Sequence, residues 1–125
     1  MRTPNILLLE DEALIAMDVE TMLTDIKAGS VTSIASCADA LKWLAYNTPD
    51  VAILDIFLLD GECIEVADIL VERDVPFVVH SARRKVSHDS HHIFLKGVWI
   101  SKPAVPEELA RTVKAHLSKS RSVAA

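Results

Sequence analysis

Four apolar runs in this chain end on residues that can do chemistry. "ILLLEDE" (6–12) carries Glu10, Asp11 and Glu12 directly after its apolar stretch, and "VAILD" (51–55) ends on Asp55. "VPFVVHS" (75–81) ends on Ser81, and "VWISK" (98–102) ends on Ser101 and Lys102. Carboxylates gathered at one point repel, and their pKa values rise unless a cation neutralises them. A hard divalent ion with a few oxygen ligands and several retained waters suits such a group, which points to Mg²⁺. A carboxylate near a metal, flanked by a lysine and a hydroxyl, can act as a nucleophile toward a phosphoryl group. The lysine and the metal would neutralise the transferring oxygens, so that catalysis is mostly positioning and electrostatics.

These residues converge only if the elements behind them do. Asn5–Leu9 is a continuous apolar run, which predicts a strand covered on both faces. Glu12 to Lys27 turns helical, with Ile15, Val19, Met22 and Ile26 on one face and Gly29 as the stop. "VTSIA" (31–35) predicts a second strand, and Ser36 with Asp39 a capping box for a helix carrying Leu41 and Leu44. Val51–Asp55 is the third strand, Glu62–Arg73 a helix, 75–81 the fourth strand and 98–101 a short fifth. Residues 105–118 form the closing helix, with Leu109, Val113 and Leu117 as its stripe. Between strands four and five, "RRKVSHDSHHIFLKG" holds few good helix formers, so a short, distorted or mobile helix is expected there.

Strands alternating with helices predict a parallel sheet with helices on both faces and right-handed crossovers. Ligands on such a sheet bind at the carboxyl ends of the strands, beside the switch point. That is the edge on which Glu10, Asp11, Asp55, Ser81 and Lys102 would meet.

Composition bounds the rest. The chain has 125 residues, enough for one domain, with 119–125 expected as a frayed tail. A net charge of −5 argues against direct nucleic-acid binding, which needs clustered Lys and Arg. No apolar run reaches the ~20 residues of a membrane span, and "MRTPN" enters the first strand without a secretion signal, so a cytoplasmic protein is expected. Its two cysteines, Cys37 and Cys63, are then expected reduced and buried. His88, His91 and His92 lack cysteine partners, which disfavours a zinc site.

The stretches "LLLEDE", "AILD", "VHSA" and "WISKP", in that order and each at a strand end, resemble the receiver domain of two-component response regulators over nearly the whole chain. The stand-alone subgroup is the nearest in pattern. The resemblance implies a flavodoxin-like doubly wound five-stranded parallel sheet of order 2-1-3-4-5. It implies Asp55 as phosphoacceptor, Mg²⁺ held by Asp11 directly and by Glu10 through water, and the Phe57 backbone carbonyl completing the metal site. Lys102 and Ser81 are implied as the catalytic lysine and hydroxyl, Ser81 and Trp99 as the switch pair, and Lys102–Pro103 as a cis peptide. The implied partners are a histidine kinase or phosphotransfer protein and a downstream protein target, with a homodimer left open. The chain departs from the family pattern at Leu59, where proline is common, and at Arg83 and Arg84.

Singly, each residue has a plainer reading. The acids could start a helix, Asp55 could close a turn, Ser81 could cap a helix and Lys102 could lie in a surface loop. Their joint placement at strand ends outweighs those readings. Two other functions compete: an interaction module that does not use phosphorylation, motivated by 83–97 and Trp99, and a small Mg²⁺-dependent phosphatase. The second is disfavoured because Phe57 stands where a second acid would be needed.

Overall fold

The apolar runs become strands because β-branched and leucine side chains on alternating faces can be covered from both sides. In the computed structural model, which describes residues 3–81, 89–102 and 106–124, these are β1 (Asn5–Leu9), β2 (Ser30–Ile34), β3 (Val51–Leu54), β6 (Phe77–Ser81) and β7 (Val98–Ser101). They form one parallel sheet in the order β2-β1-β3-β6-β7. The helices are α1 (Ala13–Asp25), α2 (Cys37–Leu44), α3 (Ile64–Glu72) and α4 (Pro106–Ala124). A small antiparallel hairpin, β4 (Phe57–Leu58) with β5 (Gly61–Glu62), stands apart from the sheet. With the hairpin set aside, the strand order is the 2-1-3-4-5 order expected of a doubly wound receiver-like sheet.

Alternation along each strand builds two core layers. Leu7, Leu9, Leu54, Phe77 and Val79 pack with α2, α3 and Phe94. Ile6, Leu8, Ile53, Val78 and Ile100 pack with α1 and α4 through Val19, Leu23, Leu109 and Val113. Each fully buried aliphatic side chain stabilises the fold by about 1.5–3 kcal/mol relative to exposure. The burial therefore fixes register, because a slip of one residue would exchange the two layers.

Helix ends follow local chemistry. The Ser36 hydroxyl accepts from the Asp39 N–H at 3.1 Å and so starts α2 as expected. Helix α1 stops earlier than Gly29: Lys27 takes the left-handed conformation (φ 53°), and Asp74 does the same after α3 (φ 56°). Gly29 serves close approach instead. A Cβ there would overlap the Pro4 carbonyl, which accepts from the Ser30 N–H at 2.8 Å. Between β6 and β7 the chain forms a 3₁₀ helix, Asp89–Lys96, anchored by the fully buried Phe94. That fits the expectation of a short, distorted helix, while residues 82–88 lie outside the described residues. Helix α4 continues to Ala124, past Ser118 where its apolar stripe gives out. Among the described residues, no helix is long and apolar enough to cross a membrane.

One sequence expectation is corrected. Cys37 and Cys63 are not reduced: they form a disulfide, with Cα atoms 5.6 Å apart across a separation of 26 residues. The hairpin folds the start of α3 back beside the start of α2, and the pairing is set by that contact, which spacing alone does not reveal.

Candidate functional site

The sheet register brings the strand-end residues to one edge. Leu9 pairs with Leu54, Leu54 with Val79, and Ser81 with Ser101. Glu10, Asp55 and Lys102 each follow by one residue. Backbone bonds hold them there: Asp55 N–H to Leu9 O at 3.2 Å, Glu10 N–H to Ile34 O at 3.2 Å and Lys102 N–H to Ser81 O at 2.8 Å.

The Lys102 ammonium bridges two of the acids. Its Nζ lies 2.6 Å from Glu10 Oε1 and 2.8 Å from Asp55 Oδ2. The Glu10 side chain is 2% exposed, and those of Lys102 and Asp55 are 13% exposed. Burial opposes charge on Lys102, but hydrogen bonds and attraction from Asp55 and Glu10 outweigh it. The ammonium therefore titrates above the ordinary lysine range. The other oxygen of Glu10, Oε2, accepts from the Glu12 N–H at 3.2 Å, at the N-cap of α1. The acidic triplet is thus split: Glu10 points into the site, Asp11 is half-buried beside it and Glu12 is exposed at the helix start.

Ser81 and Trp99 belong to the other face. Both alternate in phase with Val79, which packs toward α2 and α3. Ser81 is buried and Trp99 is half-buried against that layer. Phe57, half-buried, opens the hairpin directly after Asp55 and Ile56. The hairpin is fastened twice to the start of α2. The Asp60 carboxylate accepts from the Cys37 N–H at 2.8 Å and the Ala38 N–H at 2.9 Å, and Cys63 is bonded to Cys37. Those backbone donors hold the Asp60 carboxyl below the usual carboxylate pKa.

The donor chemistry fits a hard cation. Two carboxylates from separate strands already converge on one positive group, and Asp11 adjoins them. Among the described residues, no three acidic, histidine or cysteine side chains close into a cage. An ion here would rely on one or two carboxylates and on water, the usual habit of Mg²⁺. Pro103 lies outside the described residues, as do His88 and the side chain of His91.

Sequence reasoning passed over two residues. Asp60 lies in the short stretch 57–62, where the sequence shows no period that would mark it. His80 sat unnoticed in an apolar strand, although a titratable residue interrupting "FVVHS" was a usable signal. His80 is 6% exposed, and its Nε2 has no hydrogen-bond partner among the described residues. Burial holds its imidazole below the ordinary histidine pKa; Lys102 pushes the same way and Asp55 opposes.

With this geometry in hand, similarity to known proteins is informative. Residues 6–114 match the family described as the response regulator receiver domain. The transcriptional regulatory protein PrrA of Mycobacterium tuberculosis is 32% identical over 127 residues, covering 98% of this chain and 53% of that protein. The sensory transduction protein LytT of Bacillus anthracis is 28% identical, covering 94% of this chain and 48% of that protein. The chain thus spans about half the length of the curated relatives it matches. Among solved structures, a CheY-like receiver domain protein from Methanospirillum hungatei superposes with a TM-score of 0.82 at 20% identity, covering 96% of this chain and 98% of that one. A two-component response regulator from Clostridium difficile gives 0.78 at 23% identity, covering 93% and 97%. At these identities the structural matches speak for the fold alone.

Proposed function

The chain belongs to the response regulator receiver family of two-component signalling, and on that footing we propose that Asp55 accepts a phosphoryl group from a phosphohistidine. The donor is a histidine kinase or a phosphotransfer protein. The observation that carries this reading is the Lys102 ammonium, held 2.8 Å from Asp55 Oδ2 at the carboxyl edge of the sheet. An Asp55 oxygen attacks phosphorus as the nitrogen–phosphorus bond breaks. The histidine nitrogen leaves with the electron pair and takes up a proton. Lys102 neutralises charge on Asp55 and on the transferring oxygens. Attack by water on phosphorus later returns Asp55 to a carboxylate and releases phosphate.

Asp11, Asp55 and the Phe57 carbonyl would hold Mg²⁺, with Glu10 acting through water. When bound, the ion supplies charge neutralisation at the phosphoryl oxygens. The new phosphoryl charge offers acceptors to Ser81 and Lys102. Movement of Ser81 and of Trp99, on the same face, would pass the change to the surface formed by the 3₁₀ helix and β7, where a target protein is engaged. The protein is thus a signalling phosphoacceptor rather than an enzyme with a separate substrate.

The test is phosphorylation by acetyl phosphate with Mg²⁺, read by intact mass. The expected result is the gain of one phosphoryl group, absent in Asp55→Asn. A folded wild-type protein that gains nothing would leave a phosphorylation-independent interaction module.

A further inference from the structure

His80 is a buried polar group that the proposed phosphotransfer does not use. The two strand ladders fix its surroundings. His80 pairs with Ile100, and Asp55, following Leu54, comes level with it on the next strand. Lys102 lies two residues beyond Ile100 and so shares its face, the side that packs on α1 and α4. Diagonal neighbours of this kind stand roughly 7–8 Å apart, within reach of a long side chain. The imidazole is near enough to Lys102 and Asp55 to feel the charge of both.

Leaving a buried polar atom unpaired is costly, so an orphan of this kind calls for a state in which it is satisfied. Lys102 supplies one. Its ammonium carries three protons, of which Glu10 and Asp55 take two. A divalent cation bound at the same carboxylates would repel that ammonium, and Lys102 would need another acceptor nearby.

We propose that His80 is a positioning residue for Lys102, its unprotonated Nε2 accepting the ammonium when a divalent cation engages Asp55 directly and Glu10 through water. This inference rests on the cation site of the proposed function. A neutral imidazole suits the role, since it adds no positive charge beside the lysine, and burial favours that form. The Nδ1–H tautomer is required, because only then does Nε2 present a lone pair.

The experiment compares the whole chain with His80→Gln, whose side-chain oxygen can replace the Nε2 acceptor, and His80→Leu, which has no acceptor. Mg²⁺ affinity is measured by titration calorimetry and folding by urea denaturation. The expected result is near-wild-type affinity in His80→Gln and about fivefold weaker binding in His80→Leu, with no loss of urea resistance. Equal affinities in all three proteins, or equal weakening in both variants, would overturn the role. Long-range proton–nitrogen spectra of isotope-labelled histidine decide the case even if His80→Leu does not fold. The wild-type Nε2 resonance should be that of an unprotonated nitrogen and should move on Mg²⁺ addition; a protonated or static Nε2 overturns the proposal. Wild-type protein that binds no Mg²⁺ brings down the cation site itself, whereas binding that ignores His80 brings down only this role.

Discussion

Lys102 and Asp55, 47 residues apart in the chain, meet through a 2.8 Å ion pair at the edge of the sheet. The same ammonium touches Glu10, so one cation offsets two carboxylates. Removing it leaves both acids under-compensated in a largely buried place. Lys102→Met should lower stability by about 1–3 kcal/mol, measured by urea denaturation. It should also tighten Mg²⁺ binding while lowering phosphoryl transfer from acetyl phosphate at least about tenfold. Transfer at the wild-type rate would mean that Lys102 contributes only to folding.

How much of this could be read from sequence depends on range. The parallel strands were legible because β1, β3 and β6 are apolar runs that each end on, or just before, a polar residue, whereas their spatial order was implied by the family resemblance. The strand-end set of Glu10, Asp55 and Lys102 was legible for the same reason. The direct Lys102–Glu10 contact was not, since it depends on side-chain reach across two strands. The hairpin 57–62 was missed because its strands are two residues each, too short for any period to show. Asp60 and the Cys37–Cys63 bond were missed because their partners lie more than 20 residues away. Lys27 takes the left-handed conformation ahead of Gly29, the expected stop of the first helix, and Asp74 does the same after α3, because a well-packed helix tolerates one strained residue at its end.

Asp60 predicts a pH dependence. Its folded-state pKa lies below the ordinary 3.8, so it adds stability above that value, lost as pH falls through the lower folded pKa. Asp60→Asn should therefore unfold at lower urea than wild type at neutral pH. The gap should close as pH falls below about 3.8. A gap that stays constant with pH would assign the effect to the shape of the side chain rather than to its charge.

The Cys37–Cys63 bond closes a loop that contains β3 and Asp55. Cross-linking a loop of this size restricts the unfolded chain and stabilises the fold by about 2–4 kcal/mol. Reductant, or Cys37→Ala with Cys63→Ala, should lower the urea midpoint accordingly. Free-thiol titration before and after denaturation checks the bond directly: two reactive thiols in the unfolded, unreduced protein would show that it does not form.

Gly97 tests how closely β7 enters the sheet. A Cβ at this position would lie 2.5 Å from one Phe77 ring carbon and 2.6 Å from both another ring carbon and the Phe77 carbonyl oxygen. Phe77 is 2% exposed and opens β6, so neither its ring nor its backbone has room to retreat. Gly97→Ala should then cost about 1–3 kcal/mol through overpacking, read as a lower urea midpoint. The strain should sit at the end of the β6–β7 ladder opposite Lys102, because the two strands pair from Val78–Val98, next to Gly97, up to Ser81–Ser101. Pairing Gly97→Ala with Phe77→Leu, which shortens the ring side chain, should recover part of the loss. A double variant no more stable than the sum of its single changes would place the strain on the Phe77 carbonyl instead of the ring.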